Sequence, residues 1–317
     1  MNVLITGGAG FIGSHIADAL LQNSGIGFVR VLDNLSTGFK SNIEHLIANP
    51  NFEWMEGDIA DPTICKEAMQ NIDVVCHQAA LGSVPRSIKT PMLTFQNNIN
   101  GFINILEAAR LAGVKKMVYA SSSSVYGNAN YHPKVEERIG KVLSPYAASK
   151  HTNEIIAEAY AKNYDMQISG FRYFNVFGPR QDPDGPYAAV IPLFIKHAIQ
   201  NTSPTINGDG SITRDYTFVS NVVKANLNAL SDQTNFRGHE VFNIACGATT
   251  TLLELWHKIK NLTNSKADAI LGPERTGDIL HSLANVSKAA SLINYTQLIS
   301  LDEGLLSTIK SYNIQNS

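Results

Sequence analysis

Tyr146 and Lys150 stand four residues apart in the segment PYAASK. Four residues is one helical turn, so a helix here puts the phenol and the ammonium on one face. Upstream, the β-rich run Met117 to Ala120 leads into four serines, Ser121 to Ser124. A free phenol ionises near pH ~10. A neighbouring Lys⁺ and a positive nicotinamide ring both favour the phenolate. So activated, Tyr146 can take a proton from a substrate hydroxyl as hydride leaves the same carbon. Lys150 then has a second task, a hydrogen bond to the nicotinamide ribose. A Y-x-x-x-K match alone is common by chance. Its weight comes from a Gly-rich turn, an acidic strand end and a serine-lined strand end placed before it.

Those preceding elements are what must hold a dinucleotide. Val3 to Thr6 is a short β-branched run, followed by Gly7-Gly8-Ala9-Gly10-Phe11-Ile12-Gly13. Ile12, Ile16 and Leu20 then share a helical face. The glycines thus lie between a strand and a helix, where Gly7 permits a tight turn, Gly10 lets amides approach a pyrophosphate and Gly13 lets the helix press on the sheet. With Phe11 and Ile12 they form the opening of the helix, whose N-terminus favours the anion. The next strand, Phe28 to Leu32, ends at Asp33, 20 residues after Gly13. That distance suits a carboxylate on an adenosine ribose. Such a carboxylate repels a 2′-phosphate, so NAD is expected over NADP. Asn34, Ser36, Thr37 and Gly38 form a turn along that ribose. Asp58 is placed to reach an adenine amine and Ile59 to pack on the ring. Gln78, Ala79 and Ala80 follow a fourth strand, where small residues admit the cofactor. His77, at the end of that strand, reads as a packed histidine rather than a base, because nothing pairs with it in sequence. Ser83 lies in a polar loop at the same carboxyl edge. Asn98 fits either a helix cap or a cofactor contact.

Bulk properties narrow the class. The chain has 317 residues, 44% hydrophobic and 16% charged, with a formal net charge of −2. That is enough for one large or two modest domains. It offers no electrostatic case for nucleic acid or anionic membrane. No apolar stretch approaches the ~20 residues of a membrane span. Cys65, Cys76 and Cys246 show no CxxC spacing. Ordinary thiols in a reducing cytoplasm are therefore expected, with no metal. The N-terminal apolar run is short and broken by glycines, unlike a signal segment.

TGGAGFIG, LDN, SSSSVYG, YAASK, FRYFNVFGPR and RDYTFV together span nearly the whole chain. On these segments the chain resembles the extended short-chain dehydrogenase/reductases that act on nucleotide sugars, with bacterial UDP-N-acetylglucosamine 4-epimerases most similar. The resemblance implies a Rossmann-type doubly wound parallel sheet with a smaller C-terminal α/β substrate domain. It implies Ser122 as the catalytic hydroxyl, with Ser123 beside it. Dehydratases and decarboxylases resembling this fold carry acids in the two positions after that hydroxyl. Here these are Ser123 and Ser124, so epimerisation is favoured. It also implies that Tyr173, Phe174 and Val176 lie at the nicotinamide, and that Asn175 meets the substrate diphosphate. Thr205 and Asn207 belong to the segment whose backbone receives the uracil, with Val190 upstream on the substrate side. Arg214 and Arg275 are candidates for the diphosphate, since a planar guanidinium holds phosphate oxygens bidentately. Asp278 is a candidate for the ribose hydroxyls. Ser282 stands where the family places a gate: a tyrosine there restricts the pocket, while a small residue admits a 2-N-acetyl group. Ser83 is a further candidate for that group.

The expected organisation is an NAD-binding domain over residues 1–175, rejoined by 222–235, and a nucleotide-sugar domain over 176–221 and 236–317. Strand and helix should alternate through about residue 175. The helices near 92–112 and 147–164 resemble the pair through which the family forms homodimers as a four-helix bundle. The expected reaction is the reversible C4 epimerisation of UDP-GlcNAc to UDP-GalNAc through a transient 4-keto sugar. UDP-glucose/galactose and the corresponding uronic acids remain open alternatives.

Overall fold

The computed structural model describes residues 1–185, 188–231, 234–273, 281–296 and 298–315, with backbone alone for 313–315. The first lobe opens with β1 (Asn2–Thr6), α1 (Phe11–Leu21), β2 (Phe28–Asp33), β3 (Phe52–Glu56), α2 (Pro62–Ala68) and β4 (Val74–His77). It continues with α3 (Val84–Lys89), α4 (Pro91–Phe95), α5 (Gly101–Leu111), β5 (Lys116–Ser122), α6 (Pro145–Tyr164) and β6 (Gln167–Tyr173). Beyond it come β7 (Val176–Phe177), α7 (Val190–Ile199), β8 (Thr205–Asn207), β9 (Thr213–Arg214), β10 (Thr217–Phe218) and α8 (Val219–Leu230). The chain closes with β11 (His239–Ile244), β12 (Thr250–Thr251), α9 (Leu252–Thr263), β13 (Ile270–Gly272), α10 (Ser287–Ile293) and α11 (Leu301–Gln315).

Seven strands form one parallel sheet in the order β11-β6-β5-β4-β1-β2-β3. Its strands are near-continuous apolar runs, as parallel strands covered on both faces must be. Val3, Leu4 and Ile5 are fully buried. One face packs against α1, α8 and α10, through residues such as Ile16, Val222 and Ile293. The other packs against α2, α5 and α6, through Cys65, Phe102 and Ala157. This is the doubly wound architecture expected from the alternating pattern. A separate cluster holds the second lobe, where α7, α9 and α11 pack Phe194, Trp256 and Leu305 around Phe177 and Phe218.

Two expectations are corrected. The boundary at residue 236 misplaces β11, which is the seventh strand of the large sheet and pairs in parallel with β6 from His239↔Ile168 to Ile244↔Tyr173. Phe242 and Ile244 are buried in the first lobe's core. α10 also packs there, so residues 236–317 do not all belong to the substrate lobe. The β2-to-β3 crossover has no α-helix either, only short 3₁₀ turns at Lys40–Asn42 and Glu44–Leu46. All three cysteines are free. No described helix is long and apolar enough to cross a membrane.

Candidate active site

The strand order reverses between β1 and β4, and ligands of open α/β sheets bind at the carboxyl ends of strands at such a point. A cleft of about 440 Å³ lies there. Gly7, Gly10, Phe11, Ile12 and Gly13 form its floor, and Asp33, Asn34, Ser36, Thr37 and Ile59 line one end. Gln78, Ala79, Ala80, Ser121, Ser122, Tyr146, Lys150 and Tyr173 line much of the remainder. Two of its glycines leave no room for a side chain. A Cβ on Gly7 would stand 2.6 Å from the Ala79 nitrogen, and one on Gly13 only 2.2 Å from the Gly7 oxygen. This backbone cradle before α1 fits a dinucleotide pyrophosphate.

Asp33 is buried at the strand end, where its carboxylate accepts from the amides of Ala9 at 3.0 Å and Leu35 at 2.9 Å. Burial pushes its pKa up, and those amides pull it partly back. Asp58, expected at the adenine, does not line the cleft. Its oxygens accept from Ala60 N and from the Asn34 amide at 2.9 Å, so it braces Asn34. Gly38 is also set back, packed on the Ala9 backbone. Asn98 is neither cap nor lining. It sits in a π-helical turn, Gln96–Asn100, with its oxygen accepting from Leu81 N at 2.8 Å. Its amide donates to Leu81 O and to the Ser149 hydroxyl. It thereby holds the loop after β4 against α6. His77 is a packed residue: its Nδ1 meets the Thr6 hydroxyl at 2.7 Å, and burial first, then Lys150, brings its pKa down to about 3.

α6 delivers the reacting pair. Ser144 caps it by accepting from Ala147 N at 3.1 Å, and Pro145 fixes its first turn, so Tyr146 emerges at the cleft. Lys150 is buried, and its Nζ donates to the Ala120 carbonyl at 2.8 Å. Burial lowers its pKa to about 8. Burial also raises that of Tyr146, while a hydrogen bond with Ser122 lowers it. In this structure the group that favours the phenolate is the Ser122 hydroxyl, and Lys150 is tied to a strand-end carbonyl. Ser122 also accepts from the Ser124 hydroxyl at 2.9 Å.

Tyr146 and Ser122 face a second, wider cleft of about 840 Å³. Ser123, Ser124, Phe174, Asn175, Arg214 and Ser282 line it as well. Sequence reasoning missed four of its other walls: Lys134, Leu143, His281 and Tyr126. Lys134 had no helical or strand pattern to mark it. It becomes visible only because its backbone bridges Ala284, close to Ser282. Lys134 and Arg214 make this cleft basic, and its described lining holds no carboxylate.

Other expected residues lie apart. Ser83 is the cap of α3, its hydroxyl accepting from Arg86 N at 3.1 Å, and its neighbours Val84 and Pro85 line the cleft instead. Its φ of 130° is unusual for a residue with a side chain. Val176 pairs with Thr217 in β7–β10 and lines neither cleft. Val190 begins α7, and Thr205 and Asn207 lie in β8, paired with β13; none of the three lines either cleft. Arg275 and Asp278 lie outside the described residues. The returning helix α8 contributes a residue the sequence did not single out. Asn226 donates to the Tyr173 hydroxyl at 2.9 Å and accepts from Gln78 at 3.1 Å, so it locks two lining residues together.

With this geometry established, comparison with known proteins decides the class. A model of the NAD dependent epimerase/dehydratase family matches residues 3–245. The chain belongs to that family. Its cofactor is NAD, which the glycine cradle and the Asp33 strand end fit. A provisionally named UDP-glucose 4-epimerase from Methanocaldococcus jannaschii is 41% identical over 305 residues, covering 96% of this chain and 95% of the relative. The UDP-N-acetylglucosamine 4-epimerase of Methanobrevibacter ruminantium, solved with UDP-N-acetylmuramic acid, superposes with a TM-score of 0.92 at 37% identity over 99% and 98% of the two chains. The UDP-glucuronic acid 4-epimerase of Bacillus cereus, solved with its substrate and NAD, gives 0.91 at 32% identity over 99% and 100%.

Proposed function

We propose that this chain interconverts UDP-GlcNAc and UDP-GalNAc by epimerisation at C4. An NAD-dependent UDP-sugar 4-epimerase is what its relatives support as a class, and they divide among glucose, N-acetylglucosamine and glucuronic acid. The observation that carries the finer reading is the width of the second cleft at Ser282. Ser282 presents a short side chain to this cleft of about 840 Å³, which also holds Tyr146, and leaves room for a 2-N-acetyl group.

Bound NAD supplies the hydride acceptor, and then the donor, for C4. Tyr146 removes the C4 hydroxyl proton and returns it, with Ser122 holding the same oxygen. Ser123 and Ser124, placed where an acid would be needed to eliminate water or carbon dioxide, leave the 4-keto sugar intact. The basic wall of Arg214 and Lys134 suits the diphosphate. The same basic wall favours a second reading, a 4-epimerase of the corresponding uronic acid, whose carboxylate it would also accept.

Incubation with UDP-GlcNAc and NAD, read by NMR, tests the proposal against UDP-glucose and UDP-N-acetylglucosaminuronic acid in parallel. A GalNAc product formed faster than galactose or the uronic epimer supports it; the reverse order refutes the sugar assignment. Full turnover by Tyr146→Phe refutes the mechanism. We also propose a homodimer through the helical run 91–111 and α6, whose Met92, Leu93, Leu111 and Ile155 are exposed at 76%, 48%, 65% and 59%. A monomer by light scattering would contradict it.

A further inference from the structure

Glu154 lies one helical turn beyond Lys150, so Tyr146, Lys150 and Glu154 occupy successive turns on one face of α6. It is buried, 6% exposed, and so is Arg172 of β6 at 4%. Arg172 Nε donates to Glu154 Oε1 at 2.9 Å, and Nη2 donates to Oε2 at 2.7 Å. Nη1 of the same arginine donates to the Glu136 carbonyl at 2.9 Å, and its guanidinium stacks over Tyr126 at 4.8 Å. Glu154 Oε1 also accepts the Ser121 hydroxyl at 2.6 Å. Ser121 is the residue directly before Ser122.

A forked, buried ion pair is not explained by stability alone. Apolar replacements of similar volume are often neutral or stabilising, because both charges must be taken out of water. What this pair does have is an unusual set of neighbours. One carboxylate joins the helix that carries Tyr146, the strand end that carries Ser122, and, through Arg172, the segment that carries Tyr126 of the second cleft.

We propose that Glu154 is a positioning residue: gripped by Arg172, it holds the Ser121 hydroxyl and thereby sets the Ser122 hydroxyl against the Tyr146 phenol. The inference rests on the epimerase reading above. Sliding β5 along α6 by a fraction of an ångström separates Ser122 from Tyr146 without emptying either cleft. A displacement of about 1 Å at a reacting pair lowers turnover on the order of 10²-fold.

The decisive variant is Ser121→Ala, which cuts the link and leaves the ion pair. Ser121 also lines the cofactor cleft, so turnover is compared at matched NAD content; the expected result is then an unchanged KM with kcat reduced on the order of tenfold or more. A second readout needs no substrate. The phenol of Tyr146 is titrated by ultraviolet difference against Tyr146→Phe in the NAD-loaded protein, and in Ser121→Ala its midpoint should move to higher pH. The ionisable groups facing this cluster are Tyr126 stacked on Arg172, Glu136 before α6, Glu158 one turn beyond Glu154, Lys288 near Glu136 and His239, and the hydrogen-bonded pair Tyr119 and His239 on β5 and β11, with Lys150 one turn from Tyr146 on α6. None of them is altered by the variant. The companion variant Glu154→Leu/Arg172→Met removes the charges but keeps the bulk. Wild-type kcat in a folded companion, or wild-type kcat and titration in Ser121→Ala, would overturn the proposal. If the companion does not fold, Ser121→Ala decides alone. Should no UDP-sugar be epimerised by the wild type, the functional reading fails while the titration still reports on positioning.

Discussion

Gly13→Ala tests the cofactor cradle most sharply. A Cβ at Gly13 would meet Gly7 O at 2.2 Å, Gly8 Cα at 2.8 Å and Gly7 C at 2.9 Å, all backbone. No side chain can swing away, so the β1–α1 turn itself must open. Overpacking of this kind costs about 1–3 kcal/mol. For a chain of 317 residues, about 2 kcal/mol corresponds to a fall of about 3 °C in Tm. Opening the turn also spreads the amides that would hold a pyrophosphate, so bound NAD should fall, and its stabilising effect with it. Gly82→Ala is the control, because nothing lies within 4 Å of its Cβ and it lines the same cleft. Thermal melts and NAD released per protomer on denaturation measure both effects. Gly13→Ala with the Tm and NAD content of Gly82→Ala would refute the reasoning.

Ser282→Tyr should narrow the second cleft and shift preference from UDP-GlcNAc towards UDP-glucose by roughly 10–100-fold in the ratio of kcat/KM, as filling a pocket by a few atoms does. Unchanged preference in paired progress curves would remove Ser282 from the discrimination. Burial holds Lys150 at about 8, below the ordinary lysine value, so its charge is lost as pH rises through 8. The pH profile should therefore fall on its alkaline side near pH 8, and Lys150→Met, slower on the order of 10²-fold, should lack that limb. Asp215 is fully buried and accepts from the amides of Cys246, Gly247 and Ala284. Burial nevertheless raises its pKa to about 6. A carboxyl raised in the folded state contributes stability below its ordinary value, near 4, and that contribution of about 3 kcal/mol is lost as pH climbs through 6. Urea melts across pH 4–7 should show this decline in the wild type and not in Asp215→Asn; parallel curves would contradict it.

The parts of this chain legible from sequence are those written in local spacing. Gly7, Gly10 and Gly13 announce a strand–turn–helix because each acts on its own short segment, and Tyr146 and Lys150 announce a face because a helix repeats every 3.6 residues. The structure brings both groups to one cleft. What spacing could not reveal is what depends on distant partners. Asp58 and Asn98 carry the right chemistry for cofactor contact, yet each is turned to a neighbour, Asn34 in one case and Leu81 with Ser149 in the other. Lys134 enters the second cleft only through pairing with residues near 284. β11 looked like part of the second lobe because its partner, β6, lies far back in the chain. The depth of the phenol and the ammonium was likewise not written in the spacing: burial opposes charge on Tyr146 and Lys150 alike, and composition carries no record of depth.

That late strand has a consequence for how the protein is made. Until His239–Ile244 has been synthesised, β6 is the edge of the nascent sheet, with its hydrogen-bonding groups unpaired and Phe171 lacking Phe242 beside it. The whole excursion from β7 through α8 must leave the ribosome before that edge is covered. An open, flat, apolar edge is where chains pair with the wrong neighbour. The vulnerable moment of biosynthesis thus falls between residues 173 and 239, and a chain released there would carry its glycine cradle and its tyrosine on an unfinished, association-prone sheet.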